Sequence, residues 1–190
     1  MKIKELLYFS PKDKYSELNW DKRDELIRAF ENRVKGFYLQ PAEQLNKNKM
    51  GFATGVLCMT TMDFLAKLFF NNSKRMVKWL KKNIKEFCKI DPNFTNRTLA
   101  DRFNDEFRNG LIHEGRIKDV GQFSYDFPEI INMEEEVMIV NPGKLLCKIE
   151  FLLDNYIKQV KESESLFLKF RESLRKDFKR EIDYIKKEKL

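Results

Sequence analysis

Apolar side chains recur at intervals of three and four residues along most of this chain, which is the spacing of one face of an α-helix. The segment 19–45 shows this pattern first, and Asn19 or Asp21 can cap the helix that it predicts. Pro41 suits the first turn of a short continuation. The apolar positions of this helix are Leu26, Ile27, Phe30 and Val34.

The next two segments predict helices of different character. Residues 51–70 are apolar almost all round, which predicts a central buried helix. Its small residues Gly51, Ala53 and Gly55 would permit close approach of a neighbour. Residues 71–89 are strongly amphipathic, with an apolar face of Met76, Val77, Leu80, Ile84, Phe87 and Cys88.

The segment 97–115 predicts a helix whose apolar residues recur every four positions. Residues 91–96 predict a turn before it, in which Thr95 or Asn96 can cap the helix, and Gly115 is placed to end it. The apolar stripe of this helix is Leu99, Phe103, Phe107 and Leu111.

Beyond this helix the pattern changes. Residues 122–127 and 136–140 predict the two short strands of a hairpin, and residues 141–160 return to helical spacing. Residues 162–190 predict a charged helical extension that packs either on the core or on a second subunit. We therefore predict an all-α fold, an antiparallel bundle of about five or six helices with a small β-hairpin insertion. The predicted organisation is a single domain over 1–190, with a core at about 19–161, the insertion at about 117–141 and the extension at about 162–190.

The composition is that of a packed globular protein. Of the 190 residues 42% are apolar, and no apolar run approaches the ~20 residues needed to cross a bilayer, so we expect a soluble, cytoplasmic protein without membrane contact. The cysteines Cys58, Cys88 and Cys147 form no CxxC pair, and the chain has a single histidine. We expect reduced structural cysteines, no metal site and no cofactor.

The formal net charge of +7 favours polyanionic partners such as RNA or DNA. Residues 73–89 hold seven cations against one acid, Glu86, and most of the cations follow helical spacing opposite the apolar face. Such a stripe could hold a phosphate backbone, or it could be a solvated surface that keeps the protein soluble. Trp79 beside it either stacks on a base or covers the shoulder of the helix. The candidate nucleic-acid-binding residues are Lys74, Lys78, Lys81, Lys82, Lys85 and Lys89.

The only histidine of the chain, His113, lies near the end of the segment 97–115. Helical steps backwards from it predict a polar ladder beside the apolar stripe, whose members need partners from this chain or from a second one. Gly110 leaves room there for a ligand or a second backbone. Taken by itself, His113 is a helix-end residue whose charge interacts favourably with exposed carbonyls. The polar ladder is Arg102, Glu106, Asn109 and His113.

The sequence RNGLIH, residues 108–113, resembles the Rx4–6H signature of HEPN domains in its R-polar-x3-His form. HEPN proteins are all-helical and typically dimeric, and many are metal-independent endoribonucleases of defence, toxin–antitoxin and RNA-processing systems. The resemblance implies that His113 is the general base or acid and that Arg108 neutralises charge on the scissile phosphate. Asn109 would orient the imidazole or the phosphate, and Arg102 and Glu106 would be auxiliary. Attack by the ribose 2′-hydroxyl would need no metal.

Arg108 and His113 are five residues apart, so on a straight helix they point about 140° from each other. They can meet if the helix unwinds near Gly110, if Arg108 folds round, or if two subunits pool their motifs, as HEPN dimers do. Arg102 competes for the cationic role. The alternative function is a non-catalytic HEPN-like module that binds nucleic acid or a protein. We therefore expect RNA and a second copy of the chain as partners, and an antitoxin or another protein stays open.

Overall fold

Helices make up most of the structure, a computed structural model that describes residues 7–70 and 75–187. The described residues divide into two compact units, residues 7–40 with 153–187 and residues 41–152. The helices are α1 (Arg23–Val34), α2 (Gln40–Lys47), α3 (Gly51–Phe69), α4 (Arg75–Asn83), α5 (Leu99–Phe103), α6 (Gly110–Glu114), α7 (Pro142–Glu162), α8 (Glu164–Asp177) and α9 (Lys179–Lys187). The strands are β1 (Ile90–Asp91), β2 (Phe94–Thr98), β3 (Gln122–Phe123), β4 (Ile131–Glu134) and β5 (Val137–Val140).

Aromatic side chains fill the core of the first unit. Phe30 of α1 meets Phe170 of α8 edge to face with the ring centroids 5.0 Å apart, and Phe9 meets Phe178 in the same way at 5.3 Å. Such pairs add to the burial of apolar area. The C-terminal extension therefore packs on its own chain, which is one of the two alternatives that the sequence left open.

The predicted central helix corresponds to α3 in the second unit. One face is buried, with Cys58, Met62 and Ala66 at its centre, whereas Phe52 is 51% exposed, so the helix is not buried all round. The close approach predicted at its small residues is confirmed, because a Cβ on Gly55 would overlap the ring of Phe123. By length and composition α3 could cross a membrane, a criterion that core helices also meet.

The predicted hairpin is wrong in one of its strands. The antiparallel partner of β5 is β4, paired from Ile131 with Val140 to Glu134 with Val137, whereas β3 pairs with β5 in parallel. The hairpin turn contains Glu135, which adopts a positive φ of 51° without being a glycine. Residues 134–136 are all glutamate, whereas Gly or Asn usually marks such a turn, so the sequence did not predict it.

The predicted turn over 91–96 is a small hairpin of β1 and β2. Thr95 and Asn96 lie in β2 and cap nothing. The N-cap of α5 is Thr98, whose hydroxyl accepts from the backbone N–H of Asp101, while the Asp101 carboxylate accepts from the backbone N–H of Thr98. This reciprocal pair is a capping box, which starts the helix that carries the RNGLIH motif.

The predicted amphipathic helix over 71–89 is shorter than its pattern suggested. Helix α4 ends at Asn83 because Ile84 is extended, with φ −136° and ψ 101°, and a separate 3₁₀ turn, Lys85–Cys88, follows. Ile84 and Phe87 are both buried across this break, while Cys88 is exposed. The predicted cationic stripe therefore does not follow one continuous helix, and Lys74 lies outside the described residues.

Candidate functional site

The RNGLIH motif lies in one continuous helical segment, residues 99–114, called the motif helix here. It consists of α5, a π-helical turn (Asn104–Asn109) and α6, and it ends at Gly115 in the left-handed conformation, φ 68°. Residues four apart stand about 40° beyond a full α-helical turn, so an apolar stripe with this spacing drifts round an α-helix. A π turn contains more residues than an α-helical turn, so it brings residues four apart back toward the same face. Phe103 and Phe107 consequently stack, both fully buried, with centroids 5.0 Å apart.

The π turn divides the predicted polar ladder into two parts. One extra residue in a turn moves all later residues by about 100° round the helix. Arg102 before the π turn and Glu106 in its first half are buried, whereas Asn109 at its end is half-buried and His113 beyond it is exposed. The prediction of a single polar row was therefore wrong, because it assumed 3.6 residues per turn throughout.

Arg102 and Glu106 belong to a buried charge network. The Arg102 Nε donates to Glu106 Oε1 at 2.6 Å, and its terminal nitrogens reach Asp91 Oδ1 at 3.5 Å and the carbonyl of Glu136. Arg97 donates to Asp91 Oδ2 at 2.9 Å and lies 3.5 Å from Glu106. These contacts join the motif helix to both small sheets.

Burial raises the pKa of Glu106, and the charges of Arg102 and Arg97 only partly offset the effect. Arg102 is 2% exposed and contacts three other residues. The two auxiliary candidates, Arg102 and Glu106, therefore hold the motif helix in place and do not face solvent. The structure thus gives Arg102 no access to a surface ligand.

Arg108 and Asn109 lie next to each other and are hydrogen bonded. The Arg108 guanidinium donates to Asn109 Oδ1 at 3.0 Å and lies 3.5 Å from Asp63 Oδ1 of α3. The other oxygen of Asp63 accepts from Arg75 at 3.1 Å. One carboxylate therefore joins two guanidinium groups from different helices, each partly open to solvent, with side-chain exposures of 22% for Arg108 and 29% for Arg75.

His113 lies apart from this pair on the last turn of the motif helix. It is exposed, and it makes no hydrogen bond or ion pair with any residue in the ranges 7–70 and 75–187. Gly110 is helical, with φ −59° and ψ −52°, so the helix does not unwind there. Arg108 is held by Asn109 and Asp63 and does not fold round. Within one chain, neither of the two ways of joining Arg108 to His113 is realised.

The space beside Gly110 is filled by the chain itself. A Cβ on Gly110 would come within 2.5 Å of the carbonyl oxygen of Arg116, because the backbone folds back against the helix after Gly115. Glu114 forms ion pairs with Arg116 at 2.7 Å and with Lys118 at 3.0 Å, and these cations lower its pKa. Of the two alternatives predicted at Gly110, the close approach of a second backbone segment is therefore confirmed and room for a ligand is wrong.

The candidate lysines occupy different surroundings. Lys78 and Lys82 are exposed on α4, but Lys81 forms an ion pair with Asp101 at 3.2 Å. Lys85 and Lys89 are exposed beyond the break at Ile84. Trp79, 2% exposed, packs in the core, which rules out base stacking in this conformation.

Sequence reasoning missed Asp63, although a signal exists. Asp63 is the only acid in the mostly apolar segment 51–69, and an acid in such a segment needs a partner. Asp91 and Arg97 carry no comparable signal, because they lie in an ordinary polar stretch.

No protein-family profile, curated protein or solved structure matches this chain. In the described ranges, no group of three or more His, Cys, Asp or Glu side chains is placed to hold a metal ion. The likeness to HEPN proteins therefore depends on the motif residues themselves.

Proposed function

We propose that this protein is a dimeric, HEPN-type endoribonuclease that cleaves RNA without a metal, its helices forming an antiparallel bundle. The observation that carries the proposal is the position of Arg108. Asn109 and Asp63 hold its guanidinium at the surface, and exposed His113 follows on the same helix. An oriented cation and a free imidazole are the two groups that metal-independent RNA cleavage requires.

Each group has a defined part in the reaction. His113 takes the proton from the ribose 2′-hydroxyl, because histidine side chains exchange protons near neutral pH. The 2′-oxygen attacks the adjacent phosphorus, the bond to the 5′-oxygen breaks, and a protonated imidazole returns a proton to that oxygen. Arg108 stabilises the charge on the phosphoryl oxygens. The products are a 2′,3′-cyclic phosphate and a 5′-hydroxyl end.

Two chains are needed because the motif residues of one chain stay apart. Arg108 is fixed by Asp63, and His113 is exposed on the following turn without a partner in the described part of the chain. A two-fold axis beside the motif helix would set His113 of one chain against Arg108 of the other. The dimer is therefore part of the proposed site.

The decisive variant is His113→Ala, assayed on RNA in the presence of EDTA. We expect cleavage to fall at least a hundredfold, the usual size of a general acid–base contribution, with unchanged melting temperature and dimer mass. Arg116→Ala, which removes an exposed cation three residues away, is the matched control and should cleave normally. Full activity of His113→Ala would end the proposal, as would equal cleavage of an all-deoxy substrate.

The second candidate is a non-catalytic module that binds nucleic acid or a protein. The ion pair between Arg108 and Asp63 favours it, since this contact already partly neutralises the guanidinium. RNA binding by the wild-type chain with no cyclic phosphate product, under the same conditions, would select this alternative.

A further inference from the structure

We infer that Arg75, Lys78 and Lys82 form a track on α4 that binds the backbone of the RNA strand and leads it to Arg108. This inference rests on the proposed function, because it names the path of the substrate into that site. It differs from the lysine stripe predicted from sequence. Arg75 is a new member, whereas Lys81, Lys85 and Lys89 are excluded.

The spacing on α4 places the three cations in one row. Arg75, Lys78 and Lys82 are separated by three and four residues, so they share a helix face. Met76, Val77 and Leu80 on the other side of the helix are buried, as is Trp79 beside the row. Lys81 leaves the row because it turns toward Asp101. The cationic surface of α4 is therefore narrow, as a contact to one strand requires.

Asp63 connects this row to the proposed site. Its two oxygens contact Arg75 at 3.1 Å and Arg108 at 3.5 Å. The Asp63 carboxylate therefore bridges the first cation of the track and the catalytic arginine. Two guanidinium groups against one carboxylate leave a local excess of one positive charge. An arginine has five N–H donors, and Arg75, whose side chain is 29% exposed, uses one terminal nitrogen on Asp63. Donors at both arginines are thus left for phosphate oxygens.

The contact pattern indicates backbone recognition without base readout. Guanidinium and ammonium groups bind phosphate oxygens of any sequence, and Trp79, the aromatic side chain of α4, is buried. We therefore infer that the track contributes binding affinity and sets the direction of the strand, and that it does not select a base sequence.

The test measures RNA binding as a function of salt, with all variants made in the His113→Ala chain so that the RNA stays intact. Each lost phosphate contact should reduce the slope of log K against log salt by about 0.7 for a single strand. The triple variant Arg75→Gln, Lys78→Ala, Lys82→Ala should lose about 2 from the slope, and Arg75→Lys should keep the slope. The matched control is the triple variant Lys158→Ala, Lys161→Ala, Lys169→Ala, which removes three exposed lysines of α7 and α8.

The outcomes separate this inference from the function on which it rests. A triple variant with the slope of the control would overturn the track, even if His113→Ala abolishes cleavage and the nuclease stands. A reduced slope would support the track, even if the wild-type chain releases no cyclic phosphate product and the nuclease falls. In the active chain, the triple variant should raise KM for RNA with a smaller effect on kcat.

Discussion

Arg108 has its position because of two neighbours, and the more important one was not visible in the motif. Asn109 follows it directly in sequence, but Asp63 comes from α3 and also holds Arg75. At the scale of single residues, a carboxylate here has two opposed effects on an anionic substrate. It orients the guanidinium, and it weakens the attraction of the two arginines for phosphate.

Asp63→Asn should separate these effects. We expect KM for RNA to fall several-fold, because two guanidinium groups lose a neutralising charge. We expect kcat to fall about tenfold or more, because Arg108 loses its orientation. Steady-state kinetics on a short RNA would measure both constants. Asp105→Asn, which removes a half-exposed charge from the motif helix, is the control, and an unchanged kcat for Asp63→Asn would contradict the positioning role.

Among the elements, the motif helix starts at the capping box of Thr98, ends at Gly115 and contains the wider π turn between them. Residue spacing correctly predicted the buried positions Leu99, Phe103 and Phe107 of its apolar stripe, although Leu111 is only half-buried, and turn chemistry correctly predicted its end at Gly115. The π turn could not be predicted, because apolar residues four apart are compatible with two structures. One is an α-helix in which the apolar stripe drifts round the axis, and the other is a wider turn in which the stripe stays on one face. The break at Ile84 was missed for a similar reason, since neither glycine nor proline marks it.

The capping box should make the free energy of unfolding depend on pH in the acidic range. Burial raises the pKa of Asp101, but hydrogen bonds from Thr98 and Lys81 outweigh it, so the pKa lies below its usual value. The stabilisation is therefore complete above the unfolded pKa of about 3.9 and is lost as pH falls through the lower, folded pKa. The difference in unfolding free energy between wild type and Asp101→Asn, measured in urea, should shrink over that range.

Thr98→Ala tests the same element at neutral pH. Removing an N-cap hydroxyl should lower the free energy of unfolding by about 1 kcal/mol. Thr95→Ala, in the exposed part of β2, is the matched control and should change it little. If both variants were equally stable, the cap would not matter for the motif helix.

At the scale of the whole molecule, spacing predicted the mostly helical character, whereas the sheet pairing depended on contacts distant in sequence. Helical periodicity is local, but β3 reaches β5 across a loop and an intervening strand. The candidate site shows the same limit. Arg108, Asn109 and His113 could be found in one short stretch, while Asp63, Arg75 and the buried network come from other elements.

In the proposed dimer, one active site takes Arg108 and His113 from two different chains. The most direct measurement is the activity of a purified heterodimer, made by coexpressing Arg108→Ala and His113→Ala chains with different affinity tags. We expect each homodimer to be inactive and the heterodimer, with one intact pair of residues, to recover about half of the wild-type rate. A heterodimer as inactive as the two homodimers, or a chain that stays monomeric at assay concentration, would contradict it.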